Sequence, residues 1–169
     1  MSKIRRNVMM NKRIMIGNFS FIVLDNFGDR LLCLAEKILV TMGFDSESNI
    51  FDGSEVDELL NEFLYNQLKN DADFVSLKET GLSEKYFGLL TEKMYKRYRE
   101  KVKSEGYWWW LSTQADNPDD DRKYITCVTE TGDTYPAVCT NNQIGVRPVC
   151  MIKKNSTAAN IIKLSLAKN

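Results

Sequence analysis

Three consecutive tryptophans, Trp108, Trp109 and Trp110, constrain the fold more than any other part of this 169-residue chain. On a β-strand successive side chains point to opposite faces, so the three indole rings cannot all face one way. Burial of large aromatic rings is strongly favourable, which predicts a buried pair with the third ring as a lid. The alternative is an exposed aromatic platform for a partner, with Trp108 as its candidate residue.

The length predicts one domain, which we place at residues 13–152. A basic extension at 1–12 precedes it and a basic tail at 153–169 follows it. The apolar fraction of 43% and the charged fraction of 27% are typical of globular proteins. No apolar run approaches the length of a membrane span, and no signal-peptide pattern follows the basic start. We therefore expect a cytoplasmic protein with no membrane partner.

The chain contains no histidine, which removes the usual general base and a common metal ligand. Its nine glycines are scattered, and none belongs to a phosphate-binding loop. Catalysis by two carboxylates that meet in a cleft stays open from the sequence alone. We expect a protein that is not an enzyme and that carries no cofactor.

The four cysteines lack the paired spacing of a zinc ribbon, and most lie within apolar runs. We interpret them as buried thiols that act as small hydrophobic side chains. Strands that are distant in sequence can still converge, so a structural zinc stays open, with these candidate ligands: Cys33, Cys127, Cys139 and Cys150.

Charge is unevenly distributed, although 23 basic and 23 acidic residues cancel overall. Residues 45–84 contain eleven acidic residues and two lysines, a net charge of −9, whereas residues 93–103 contain six basic residues and one glutamate. Each segment can simply be a solvated surface. Alternatively, the acidic segment attracts a basic partner, because clustered like charge steers association.

Two helices are predicted from their caps and spacing. Ser54 caps a helix over residues 55–68, with Asp57 close to the glutamate position of a capping box. Its buried stripe is Val56, Leu59, Leu60, Phe63, Leu64 and Leu68, and its outward face carries Glu55, Glu58 and Glu62. Thr91 caps a second helix that ends near Lys103. The buried stripe of that helix is Met94, Tyr95, Tyr98 and Val102.

Alternating apolar residues predict strands at 13–16, 19–24, 31–40 and 144–152, with a hairpin formed by 124–128 and 134–139. Four aspartates in the loop at 116–121 resemble cation ligands, but the EF-hand spacing is absent. We interpret this loop as solvated rather than as a calcium site.

Several segments resemble a bacterial and phage domain family of unknown function. Its ending reads W-W-L-R-S-P-G and then G-V-R-P-A-L, and here the matches are Trp109–Leu111, Gly132 in the hairpin turn and Gly145–Val149. Earlier matches are Val23–Asp25, Leu60–Leu64 and Phe87–Thr91. The family looks related to the C-type-lectin-like and sulfatase-modifying-factor folds. The resemblance covers roughly residues 13–152 and implies a compact α+β domain. Its two main helices pack on a twisted antiparallel sheet whose first and last strands pair.

Two departures limit what the resemblance implies. Ser112–Gln114 replace the arginine and the S-P-G of the family ending, and the calcium-lectin and paired-cysteine signatures are absent. Arg147, followed by Pro148, has two interpretations. It is a structural clamp on an indole ring or a buried carboxylate, or it contacts a ligand. The clamp is the preferred interpretation.

The leading hypothesis is a protein-binding module. Its concrete form is an anti-CRISPR type of inhibitor, encoded by a phage or mobile element, that binds a guide-RNA nuclease of the host defence. Glu55, Glu58, Glu62 and Trp108 are its candidate contacts, and the acidic surface blocks nucleic-acid loading. One alternative is direct nucleic-acid binding through the helix at 93–103, with Tyr95 or Tyr98 stacked on bases. A second is a lectin-like ligand site that uses Trp108 and the aspartate loop.

Overall fold

The computed structural model describes residues 12–103 and 106–155. They form a mixed α+β structure with two sheets and two main helices, which confirms the predicted class. Most of the predicted terminal segments, 1–12 and 153–169, lie outside the described residues. The strands are β1 Arg13–Ile16, β2 Phe19–Asn26, β3 Arg30–Ala35, β4 Val40–Thr41, β5 Phe74–Val75, β6 Phe87–Gly88, β7 Trp109–Ala115, β8 Tyr124–Val128, β9 Thr134–Val138, β10 Gly145–Val146 and β11 Val149–Lys153.

The first sheet has the strand order β1-β2-β3-β11-β5, and β6 also pairs with β11. All its pairs are antiparallel. The strands at 13–16 and 19–24 are confirmed, with β2 longer by two residues. Both faces of β3 are covered: Cys33 belongs to one core, whereas Leu32 and Leu34 belong to another.

The second sheet has the order β4-β10-β7-β8-β9. The predicted hairpin is present as β8 and β9, in which Tyr124 lies opposite Val138. Strand β10 runs parallel to β7, with Gly145 opposite Trp109, and the other pairs of this sheet are antiparallel. The expectation of one antiparallel sheet is therefore wrong.

The predicted final strand at 144–152 is also wrong as a single element. It divides at Arg147–Pro148 into β10 of the second sheet and β11 of the first. Proline has no backbone N–H to donate to a ladder, so a strand readily ends there. The predicted strand at 31–40 divides in the same way, because β3 ends at Ala35 and β4 joins the second sheet.

Among the strands of the described residues, the implied pairing of first and last strands is not observed. Strand β1 pairs with β2 at the edge of the first sheet, while β11 pairs with β3, β5 and β6. The C-type-lectin-like assignment itself stays a prediction.

The first helix, here called the acidic helix, comprises Glu55–Glu58, a π-helical segment Leu59–Leu64 and Tyr65–Leu68. Ser54 is its N-cap, as predicted, and the Asp57 N–H donates to its Oγ over 3.1 Å. The predicted burial of Phe63 is wrong, because its side chain is 65% exposed, and Leu59 is only half-buried. The residues that do pack inward recur every four positions: Val56, Leu60, Leu64 and Leu68. This spacing agrees with the wider turn of a π-helix.

The second helix, here called the basic helix, spans Glu92–Tyr98 and continues as a 3₁₀ turn at Arg99–Lys101. It is shorter than the predicted helix to Lys103. Thr91 is its N-cap, as predicted, and accepts the Met94 N–H over 3.1 Å. Tyr95 and Tyr98 pack into the second core, against the face of the first sheet that the acidic helix does not cover.

Candidate functional site

Trp109 and Trp110 are both buried, with 1% and 0% of their surfaces exposed. Because neighbouring side chains on β7 alternate, Trp110 enters the core beneath the acidic helix and Trp109 enters the core beneath the basic helix. The predicted buried pair is confirmed, and its two rings serve different cores.

Arg147 is fully buried beside Trp109, with its guanidinium carbon 5.0 Å from the ring centroid. Its Nε donates to the Ala35 carbonyl over 2.7 Å, and a terminal nitrogen donates to the Glu36 carbonyl over 2.8 Å. A third bond reaches the carbonyl of Lys103 over 3.3 Å. These contacts tie the strand break, including the buried Pro148, to the end of β3. This geometry is that of a structural clamp on an indole and on backbone carbonyls.

Trp108 is half-buried and lies at the edge of a surface depression of about 580 Å³. Its indole N–H donates to the Glu130 carboxylate. The ring of Tyr135 packs edge-on against the indole, with 5.5 Å between the centroids. Tyr107, which lines the same depression, is 60% exposed. Trp108 therefore contacts the core on one side and borders an open, partly aromatic surface on the other.

The aspartate loop does not contribute to this depression. It follows the end of β7, whereas Trp108 precedes its start, so a strand of about 20 Å separates them. The expectation of a ligand site built from Trp108 and this loop is therefore wrong. Within the loop, Asp120 accepts hydrogen bonds from Arg122 and Tyr124, and the Arg122 guanidinium holds the pKa of the Asp120 carboxyl well below its usual range.

The four cysteines are buried and free. Cys33 and Cys150 lie opposite each other on β3 and β11, and Cys127 and Cys139 lie elsewhere in the same core. Burial raises the pKa of the Cys127 thiol to about 12, and it raises the pKa of the other three thiols as well. Across the described residues, no group of three or more potential metal ligands occurs.

The inner side of the acidic helix carries a buried carboxylate that the sequence interpretation treated only as a cap residue. Asp57 is 1% exposed. Its oxygens accept from the Gly53 N–H over 2.9 Å, the Asn61 amide over 2.7 Å and the Lys85 ammonium over 3.0 Å. Asn61 also exchanges hydrogen bonds with the Phe87 backbone, at 2.9 Å each. Asp57 and Asn61 are four positions apart and therefore neighbours on a helix. Their polar side chains within the apolar pattern were the sequence signal for this buried network.

The outer side of the acidic helix carries the predicted glutamates, Glu55, Glu58 and Glu62, and all three are exposed. Within the described parts of the chain, none of the three carboxylates forms an ion pair or a side-chain hydrogen bond. Phe63 follows Glu62 in the chain and is 65% exposed. The helix thus presents exposed carboxylates and one exposed aromatic ring.

Asp45 holds the loop before the acidic helix to its first turn. Its carboxylate accepts the backbone N–H groups of Glu47, Ser48 and Glu55 over 2.8–3.0 Å. Desolvation by burial acts to raise the pKa of Asp45, but these N–H donors outweigh it and hold that pKa below its ordinary value.

The basic helix differs, because most of its cations already have partners. Lys96 pairs with Glu92 at 3.0 Å, and Arg97 lies 3.9 Å from Asp25. Arg99 pairs with Asp133 at 3.4 Å, and the Lys101 ammonium donates to the Leu24 carbonyl over 2.8 Å. The Lys96 pair lies within the helix, whereas Arg97 and Lys101 connect the helix to β2 and Arg99 connects it to the turn before β9.

The tyrosines of the basic helix are buried, which contradicts their predicted role in stacking on bases. The hydroxyl of Tyr95 donates to the Gly132 carbonyl over 2.7 Å, and its ring packs edge-on against Trp109. The hydroxyl of Tyr98 donates to Asp25 over 2.6 Å. Desolvation, together with this bond to a carboxylate, raises the pKa of Tyr98 to about 12.

The described residues form an α+β structure with two cores, and exposed side chains lie on the acidic helix and beside Trp108. Residues 70–154 match the family described as "Domain of unknown function (DUF6273)", and the chain belongs to that family. The match contains β7 to β11, with the Trp cluster and Arg147, but not the acidic helix.

No curated protein and no solved structure matches the chain. Among the described residues there is no helix with the length and apolar character that crossing a membrane requires.

Proposed function

We propose that the chain is a non-enzymatic protein-binding module that holds a basic partner surface against the outer side of the acidic helix. One observation carries the proposal: three exposed carboxylates without ion pairs in the described structure lie beside an exposed phenylalanine. Binding surfaces commonly combine an aromatic anchor with a polar, charged rim. The side chains concerned are Glu55, Glu58, Glu62 and Phe63.

The narrower form of the proposal is the inhibition of a host defence nuclease, in the manner of an anti-CRISPR protein of a phage or mobile element. A row of carboxylates can occupy a basic groove in place of phosphates, which blocks nucleic-acid loading. The charge distribution supports this form, because residues 45–84 contain eleven acidic residues and only two lysines. Electrostatic complementarity of this kind raises the association rate and suppresses wrong partners.

Direct nucleic-acid binding through the basic helix is less well supported. Four of its cations are engaged by acids or by a backbone carbonyl, and its tyrosines are buried. Each engaged cation has to leave its partner before it can bind a phosphate, which reduces the electrostatic gain.

A tagged pull-down from bacterial lysate supplemented with guide-RNA nucleases, read by mass spectrometry, tests the proposal. The chain should recover a protein in stoichiometric amount, and the triple variant Glu55→Lys, Glu58→Lys, Glu62→Lys should not. The matched control reverses three exposed aspartates of the loop at 116–121, outside the acidic helix: Asp116→Lys, Asp119→Lys and Asp121→Lys. It has the same change of net charge and should retain the partner.

Equal recovery by both variants would disprove the role of the acidic helix. Equal loss would show that net charge, rather than this surface, governs binding. If a nuclease is recovered, its cleavage in the presence of each variant tests the narrower form separately, because a bound partner that still loads its guide and target is not inhibited.

A further inference from the structure

The depression beside Trp108 lies at the end of the second sheet that is far from the aspartate loop. Three segments meet there: the start of β7, the turn between β8 and β9, and the residues before β10. Its principal lining side chains are Tyr107, Trp108, Glu130, Asn141, Gln143 and Ile144. This surface is separate from the acidic helix and does not depend on the function proposed above.

The indole of Trp108 is held in place from three directions. Its N–H donates to Glu130, Tyr135 packs against its ring at an interplanar angle of 62°, and its backbone carbonyl accepts the Gly145 N–H over 2.7 Å. Trp109 and Trp110 anchor the following backbone in the two cores. A ring that is fixed before a ligand arrives loses little entropy when the ligand binds.

Packing of the fold does not account for the aromatic side chains here. Tyr107 is 60% exposed and Tyr135 is 54% exposed, although each could be a smaller polar residue without opening a cavity in either core. Together with the half-buried Trp108, they give this end of the sheet a concentration of accessible ring surface. Flat apolar rings at a concave surface are suited to ligands that have a flat apolar face.

The polar groups around the rings narrow the ligand further. Asn141 and Gln143 carry carboxamides, which both donate and accept hydrogen bonds. The backbone N–H of Gln143 donates to the Asn141 side-chain oxygen over 3.0 Å, and this bond fixes the Asn141 amide. The side-chain amide of Gln143 donates to the Asn142 side-chain oxygen over 2.9 Å, which holds the Gln143 amide as well. Glu130 adds a carboxylate, and no lysine or arginine is among the described residues that line the depression. This lining disfavours phosphate and other anions and suits a neutral ligand rich in hydroxyl groups.

We propose that this depression is a calcium-independent binding site for a neutral saccharide. A sugar ring places its C–H face on Trp108 and Tyr107, and its hydroxyls, which are donors and acceptors, bind Asn141, Gln143 and Glu130. The volume of about 580 Å³ lies within the range of small-ligand sites and accommodates more than one sugar ring. No cation is needed, because the hydrogen-bonding groups are side chains of the site itself.

Titration of the full chain with a panel of neutral oligosaccharides tests the site. Maltotriose, cellotriose, lactose and chitotriose are added in the presence of EDTA, with tryptophan fluorescence and calorimetry as readouts. At least one should bind and change the fluorescence. Trp108→Ala should weaken its binding about tenfold or more, as expected for a central aromatic anchor. The double variant Asn141→Ala, Gln143→Ala should weaken binding without loss of the indole.

Phe63→Ala is the matched control, since it removes an exposed ring from the acidic helix and should leave saccharide affinity unchanged. If Trp108→Ala does not fold, the amide double variant on the surface decides the question. The proposal is overturned if no oligosaccharide of the panel binds at about 10 mM, a concentration at which even weak sites are detected. Equal affinity of wild type and the amide variant would also overturn it, as would binding of neutral nucleosides in place of saccharides.

Discussion

The two helices carry charge of opposite sign and use it in opposite ways. On the acidic helix the outward carboxylates of Glu55, Glu58 and Glu62 form no ion pairs in the described structure, and the one buried carboxylate, Asp57, is tied to three donors. On the basic helix the outward cations are the paired groups. The number of charged residues on each helix does not show whether those residues are paired. Pairing shows that the basic helix uses most of its charge within itself and against β2 and the β8–β9 turn, whereas the outward carboxylates of the acidic helix stay exposed.

The largest expected effect tests the inner side of the acidic helix. Asp57→Ala leaves the Gly53 N–H and the Asn61 amide without their acceptor, so we expect a loss of about 3 kcal/mol in the free energy of unfolding. Lys85, which is partly exposed, can return to water and limits the loss. Denaturant unfolding measures it. The control Glu58→Ala, one position along, should change the free energy by less than about 0.5 kcal/mol. Similar values for both would show that burial of Asp57 is unimportant.

The two N-caps give a matched comparison of how each helix begins. Ser54→Ala and Thr91→Ala each remove one side-chain acceptor for a backbone N–H, at 3.1 Å in both cases. We expect a loss of about 1 kcal/mol for each, with the larger loss at Ser54, which is only 2% exposed. The measurement is again denaturant unfolding. A Gly variant at each site separates capping from helix propensity, because Gly is nearly as good a cap.

Acid pH should act on the acidic helix through Asp45. Its folded-state pKa is lowered, so its stabilising contribution is complete above the unfolded value near 3.8 and is lost as the pH falls through the lowered pKa. Asp45→Asn should therefore be less stable than wild type at pH 6, by about 1 kcal/mol or less. The difference should narrow as the pH falls below the unfolded value and through the lowered pKa. A difference that stays constant from pH 6 to pH 2 would contradict the assigned cause.

The smallest expected effect on stability comes from reversing the outward charges of the acidic helix, compared with the same change on the basic helix. Reversal of Glu55, Glu58 and Glu62 to lysine breaks no ion pair within the described structure, so the free energy of unfolding should change by less than about 0.5 kcal/mol. Reversal of Lys96 and Arg99 to glutamate breaks two pairs and places like charges together, with an expected loss of about 1 kcal/mol. Added salt should reduce this difference. Equal losses would remove the distinction between the helices.

Local chemistry was the part of the fold that the sequence predicted best. Both N-caps, the β8–β9 hairpin and the burial of Trp109 and Trp110 depend on a few neighbouring residues and were expected correctly. The division into two sheets was not, because Gly145–Val146 pairs with β4 and β7, which are about 100 and 35 residues distant in sequence. Apolar periodicity identifies a strand but does not identify its neighbours.

The sequence did not predict the π-helical segment of the acidic helix, for a different reason. Leu59 and Leu60, and likewise Phe63 and Leu64, are adjacent apolar pairs, and either member fits an α-helical stripe. The structure buries the second of each pair, at a spacing of four residues from Val56. Of the binding surface at Trp108, only that residue was predicted. Glu130, Asn141 and Gln143 lie in turns whose composition signals a loop but not its position in space.

The division of the last strand at Arg147–Pro148 also has a mechanical consequence. Strand β11 lies within the first sheet between β3 and β5. Only Arg147 and Pro148 separate it from β10, which belongs to the second sheet. A force applied to β11 is transmitted to β10 along this covalent connection and to the end of β3 through the hydrogen bonds of Arg147. The two sheets therefore resist extension together, and the domain should rupture in one event rather than in two.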